Sequence, residues 1–133
     1  MKHLIRITAL IALFVGTALA EEAPFVVPAD KDGLQRVEVV GGDYFFKPKH
    51  IVVKVNLPVE LSVRKETIIV PHDIVINAPE AGITISESLS RDPKVFFFVP
   101  TKVGKYPMYC SKKPPFLASH RDKGMEGILE VVE

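Results

Sequence analysis

From Arg36 onward the chain is written in short runs where apolar and polar residues alternate or cluster, each closed by a turn former. "RVEVV" (36–40) alternates strictly, the period of a strand with one buried face. "HIVVKV" (50–55) and "VELSVR" (59–64) flank Asn56-Leu57-Pro58, a turn signal. "HDIVIN" (72–77) lies between Pro71 and Pro79, and "ITIS" (83–86) is a shorter candidate. "KVFFFV" (94–99) stops at Pro100, and "GKYPMYC" (104–110) and "GILEVV" (127–132) complete the set. About eight short strands at this spacing predict an all-β sandwich or barrel. Eleven prolines argue against long helices. Helical turns are expected only within 80–92 and 114–120.

Strand parity sorts side chains by face. It puts Tyr106, Met108 and Cys110 together, and it puts His72 with Ile74 and Ile76, at the rim of the core. Asp73 then points the other way, toward solvent. Pro107 cannot donate to a ladder, which predicts an edge position or a bulge. Phe96, Phe97 and Phe98 predict core on both sheet faces, or on one face with a neighbour covering the other. His50, beside Lys47 and Lys49, is expected to be exposed, and Met108 to be a core residue.

Before Arg36 the pattern changes. Lys2 and Arg6 precede an apolar run from Ile7 to Val15, and Ala18-Leu19-Ala20 is a small-x-small site ahead of Glu21-Glu22. That is the layout of a secretory signal over 1–20, cut after Ala20, and the run is short for a membrane span. An extended arm is expected over 21–34 and a single domain over 35–133. Without Lys2 and Arg6 the balance is 15 basic against 16 acidic residues, a net charge of −1. Neither a nucleic acid nor an anionic membrane is selected by such a balance. Export to the periplasm or beyond is implied, with no membrane insertion once the signal is removed.

Export makes the single cysteine informative. Exported proteins carry cysteines mostly in disulfides, and Cys110 has no partner in the chain. An unpaired thiol there is an intermolecular bridge, a buried structural residue, or a metal ligand. His120 and Met125 follow it closely, and His72 is the other histidine on a core face. Two imidazoles, a thiolate and a long axial thioether make up a copper electron-transfer site, in which soft sulfur suits Cu(I) and imidazole suits both oxidation states. Such a thiolate also calls for a backbone N–H donor, from the loop or from the residue after His72.

The chain resembles the cupredoxins, the blue-copper family, over nearly all of the segment after the signal. "YFFKPKHIVVKVNLPVELSV" resembles the family's early strand pair. "PHDIVI" resembles the strand bearing the first histidine ligand, and "KVFFFVPTKVGKYPMYC" the two strands leading to the cysteine. "HRDKGMEGILEV" resembles the closing run, where histidine and methionine ligands precede the last strand. The resemblance implies a Greek-key β-sandwich and one copper ion, cycling between Cu(I) and Cu(II), held by His72, Cys110, His120 and Met125. One feature departs from the family. Nine residues, "SKKPPFLAS", separate Cys110 from His120, where the family has two to four, which puts site geometry, colour and potential in question.

The function implied is a one-electron carrier, a monomer without substrate chemistry of its own. Redox partners would dock near His120 and the loop from Pro114 to Ala118, where Phe116 and Leu117 either cap the barrel end or form an apolar patch. Two other readings stand beside it: a protein that delivers copper, and a small copper enzyme whose long loop leaves a coordination position open.

Overall fold

A computed structural model describes residues 21–133. The signal expected over 1–20 lies outside the described residues. Ten strands are present: β1 (Phe25–Val26), β2 (Gln35–Gly41), β3 (Phe46–Lys47), β4 (His50–Lys54), β5 (Val59–Lys65), β6 (Asp73–Ala78), β7 (Ile83–Ser88), β8 (Lys94–Phe98), β9 (Gly104–Tyr109) and β10 (Glu126–Val132). They form a six-stranded sheet ordered β1-β4-β10-β9-β6-β7 and a four-stranded sheet ordered β3-β2-β5-β8. All eight expected strands are found, with ends within two residues of the expected ones. The two extra strands, β1 and β3, have two residues each, too few to display a period.

The alternation seen in the sequence is the alternation of burial. On β2, Val37 and Val39 are buried, and on β5, Val59, Leu61 and Val63 are buried. Ile51 and Val53 of β4, Ile74 and Ile76 of β6, and Leu129 and Val131 of β10 are buried from the other sheet. Each such side chain contributes about 1.5–3 kcal/mol by leaving water. Gln35 is a buried polar residue with every polar group engaged. It donates to the carbonyls of Lys54 and Leu57 and accepts from the Lys54 N–H, so it ties β2 to the end of β4.

Four expectations about elements change. The 21–34 arm is stitched into the fold: Phe25 and Val26 pair with Ile51 and Val52, and Val27 is buried. Pro107 is not on an edge strand, because β9 lies between β10 and β6. Its ladder to β6 is a single pair, Val75 with Tyr109, so the backbone at Pro107 pairs on the β10 side alone. The proline's missing donor is therefore tolerated within the sheet. Of the three phenylalanines, Phe96 and Phe98 pack on the core while Phe97 is 69% exposed. β8 has only its inner face covered. Of the two segments expected to hold helical turns, one keeps a single 3₁₀ turn, Pro79–Ala81, closed by Gly82 at φ 74°, before β7 begins. Residues 114–120 hold no helix.

Candidate metal centre

Two connections, β5–β6 and β9–β10, converge at one end of the sandwich. His72 immediately precedes β6, and Cys110 immediately follows β9. β6 and β9 are neighbours, so their ends bring the two residues together. His120 and Met125 come from the segment between β9 and β10. That segment is bound back to the strands at close intervals. The Met125 carbonyl accepts from the Cys110 N–H at 3.0 Å, and the Met125 N–H donates to the His120 carbonyl at 3.0 Å. A turn joins His120 to Met125, held by Gly124 N–H to the Arg121 carbonyl and by Ser119 and Asp122, which bond each other. Gly124 has φ 102°, a conformation that favours glycine.

The long spacing between Cys110 and His120 has a simple structural answer. The His120 N–H donates to the Lys112 carbonyl at 2.8 Å. That bond pinches off residues 113–119 at their base as an excursion on the surface. Only Ser111 and Lys112 on one side, and residues 121–124 on the other, remain within the frame that holds the side chains. Added length goes into the excursion and leaves the donors convergent.

His72, Cys110 and His120 bring their ligand atoms within 4.8 Å of one another, and all three residues are buried. The two Nδ1 atoms are 3.1 Å apart, and Cys110 Sγ is 4.0 Å from His72 Nδ1 and 3.6 Å from His120 Nδ1. A triangle with those sides has its centre about 2.1 Å from every corner. Metal bonds to imidazole nitrogen and thiolate sulfur run from about 2.0 to 2.3 Å, so one ion fits between the three atoms. Met125 is buried beside the cluster, its terminal methyl facing Gly41, where a Cβ would come within 3.2 Å of it.

Burial disfavours charge on the three residues themselves. Burial, aided by the neighbouring His120, lowers His72 to a pKa of about 4. Burial also lowers His120 and raises the Cys110 thiol. At neutral pH the cluster therefore presents two neutral imidazoles and a thiol, and a bound cation would displace the thiol proton. His72 Nε2 is buried with no hydrogen-bond partner, so Nδ1 is the nitrogen through which this ring is held.

Around the cluster, some sequence expectations hold and others change. The sulfur does have a backbone donor, the N–H of Asp73 at 3.5 Å, the residue after His72. Asp73 itself is not exposed. It is buried, and its carboxylate accepts from the Ser111 N–H at 2.6 Å and the Ser111 hydroxyl at 2.5 Å. Parity turned it away from His72, but the outer face at that point is covered by the segment after Cys110. Burial works to raise the Asp73 pKa, and the two Ser111 bonds together with Cys110 and the Lys112 charge outweigh it, leaving the group below its ordinary value. His50 is half-buried rather than exposed, bonded through Nε2 to Glu130 at 2.7 Å across the β4–β10 pair, and it takes no part in the cluster. Met108 is a fully buried core residue, as expected.

Tyr44 was not foreseen. Its ring meets His120 edge-on at 4.9 Å and His72 at 6.2 Å, and the Lys123 ammonium lies 4.3 Å from its centroid. Its φ of 61° is rare for a bulky side chain. No period or motif marks a residue in such a turn; its position follows from the turn's conformation. Tyr44 also lines a cleft of about 370 Å³ that reaches His120 between Ile69 and Pro71 on one side and Lys112 and Pro114 on the other. Phe116 and Leu117 stand free at the surface, so they do not cap the barrel, and Ile68 and Ile69 are exposed on the 66–71 loop.

No family model matches the chain, and no curated protein does. Solved structures do share its fold. The metal-binding domain of the Cu(I)-exporting P-type ATPase CopA from Streptococcus pneumoniae, solved with Cu(I), superposes with a TM-score of 0.62 at 20% identity, covering 86% of this chain and 100% of that domain. Reduced auracyanin from Roseiflexus castenholzii gives 0.57 at 17% identity, over 74% of this chain and 97% of that one. The periplasmic domain of cytochrome oxidase subunit II from Bradyrhizobium japonicum gives 0.52 at 17%, over 74% and 83%. At these identities the likeness establishes architecture. The chain has the cupredoxin-like fold that its strand runs and terminal pattern imply. Among the described residues no helix is long and apolar enough to cross a membrane.

Proposed function

We propose that the chain is an exported mononuclear copper protein that passes single electrons between redox partners. The observation that carries this is the buried triangle of His72 Nδ1, His120 Nδ1 and Cys110 Sγ, with room for one ion at its centre. Two imidazoles and a thiolate, with the Met125 thioether beside them, select copper over harder cations. Copper, when bound, supplies a one-electron couple between Cu(II) and Cu(I). The chain's own part is to fix the donors. Backbone bonds through Met125 tie Cys110 to His120, and the Asp73 N–H holds the sulfur. A frame so braced changes little between oxidation states, which keeps the reorganisation on electron transfer small. Auracyanins share the fold, and one of them, from Chloroflexus aurantiacus, is a "blue" copper protein.

Partners are proposed to dock over the cleft beside His120. Ile69, Val70 and Pro114 line it, exposed Ile68, Phe116 and Leu117 lie on the two segments that border it, and Lys112 and Lys113 offer a basic margin. A partner with an apolar face and an acidic rim fits that surface. The chain acts as a monomer in this reading, with no substrate chemistry at the site. A second reading, copper delivery, is favoured by the likeness to a Cu(I) exporter's metal-binding domain and by the open cleft leading to His120.

The test adds Cu(II) to the purified domain (residues 21–133) and records the visible spectrum beside Cys110→Ser. The expected result is an intense thiolate-to-copper band in the wild type, absent from the serine variant, with reversible one-electron reduction. A colourless wild type sinks the carrier reading, and a band surviving Cys110→Ser sinks the ligand assignment. Rapid loss of copper to a mild chelator from the coloured protein would favour delivery.

A further inference from the structure

Asp73 is the one carboxylate among the buried polar residues of the described chain, and it stands between the two segments that carry the cluster. Its backbone N–H meets the Cys110 sulfur, and its side chain holds Ser111, the residue after Cys110. Both oxygens accept, and the ammonium of Lys112 lies 3.8 Å from one of them. An ammonium beside a carboxyl group that accepts a backbone N–H favours the ionised form.

The hydrogen bonds alone do not call for an acid. An asparagine at this position would accept the Ser111 N–H through its oxygen and donate to the Ser111 hydroxyl through its nitrogen. The carboxylate keeps the same shape and adds a charge, and a buried charge is costly unless something compensates it. Lys112 compensates in part, from the solvent edge. The rest of the compensation is available from the ion itself. With Cys110 as thiolate and Asp73 as carboxylate, the buried unit carries two negative charges. A dication cancels both, and a monocation leaves one uncompensated.

We infer that Asp73 sets the charge preference of the site: its carboxylate makes the centre electroneutral with a divalent ion and so favours Cu(II) over Cu(I). This rests on the copper reading above. It makes Asp73 a positioning residue with an electrostatic role, acting through the ligands without touching the ion. A unit charge removed near the ion in a partly screened interior is worth on the order of 1.4 kcal/mol, or tenfold in an equilibrium constant.

The experiment compares wild type, Asp73→Asn and Lys112→Gln in the chain of residues 21–133. Asp73→Asn is expected to keep the visible band, raise the reduction potential, and raise the ratio of Cu(I) to Cu(II) affinity by about tenfold. Lys112→Gln exposes the carboxylate's charge more fully and is expected to lower the potential. Competition between Cu(I) and colourless Zn(II) gives a readout independent of redox cycling: Asp73→Asn should favour Cu(I) over Zn(II) relative to wild type. A coloured Asp73→Asn protein with an unchanged or lower potential overturns the inference and leaves the copper reading standing. Absence of the band from wild type itself overturns the copper reading instead, and the Zn(II) competition then decides whether the charge preference survives. If Asp73→Asn fails to fold, Lys112→Gln decides alone, and an unchanged or raised potential there overturns the proposal.

Discussion

At the scale of single residues, the site is built by turning two imidazoles the same way. His72 and His120 both aim Nδ1 at the sulfur, which forces two nitrogens to 3.1 Å in a buried space. Neither ring can be protonated there cheaply, since burial lowers both, His72 to about 4. The consequence for the metal-free protein has a definite sign. An unfolded histidine takes up its proton near pH 6.5, and folded His72 resists doing so until about pH 4. Between those values the unfolded state binds more protons, so stability is full above about pH 6.5 and declines as pH falls. Asp73 contributes nothing to this window. Its lowered pKa supports the fold above the ordinary carboxylate value and fails only below it. The urea midpoint of the metal-free chain should therefore fall between pH 7.5 and pH 5, and His72→Gln should flatten that fall. A midpoint that is level or rises as pH drops would show that the rings are not held neutral by the fold.

At the scale of elements, β8 gives the sharpest test of how sequence becomes structure. Its run of aromatics resembles a strand buried on both faces, but only Phe96 and Phe98 rest on the core. Phe96→Ser should cost about 2 kcal/mol through lost burial, and Phe97→Ser less than about 0.5 kcal/mol. Urea midpoints at unchanged slope would measure both, and equal costs would contradict the one-sided packing. Strand runs of four residues or more were legible because each follows from a covered face. β1 and β3 were not, since two residues carry no period and their pairing depends on distant strands. At the site, His72, Cys110, His120 and Met125 were legible from residue chemistry and order, and the structure brings all four to one end of the sandwich. Asp73 and Tyr44 were not. The cover over Asp73 comes from Ser111, 38 residues on, and Tyr44 reaches the histidines through a turn no pattern announces. The nine-residue spacing suggested a disturbed site, and one backbone bond, from His120 N–H to the Lys112 carbonyl, lets the added length leave the donors convergent.

At the scale of the whole molecule, charge is distributed unevenly although it nearly cancels. Residues 21–133 carry 15 basic and 16 acidic side chains. The segment from Ser111 to Lys123 departs from that balance, with Lys112, Lys113, Arg121 and Lys123 against Asp122 alone. Lys112 and Lys113 of this segment line the cleft to His120, so the approach to the site that would exchange electrons carries a basic margin. Such polarity acts at a distance and is screened by salt, because the Debye length shrinks from about 30 Å at 0.01 M to about 3 Å at 1 M. Small inorganic reagents isolate this effect from apolar docking. Reduction of the copper-loaded protein by an anionic reagent, hexacyanoferrate(II), should slow as ionic strength rises over that range. Reduction by a cationic reagent, hexaammineruthenium(II), should quicken. Lys112→Gln with Lys113→Gln should shrink both trends, whereas Phe116→Ser with Leu117→Ser should leave them intact, because those side chains bear no charge and would serve only a protein partner's surface. Rates with the anionic reagent that ignore salt would mean that electrons leave through another face, and that the lysines beside His120 are solvated charge without a role in approach.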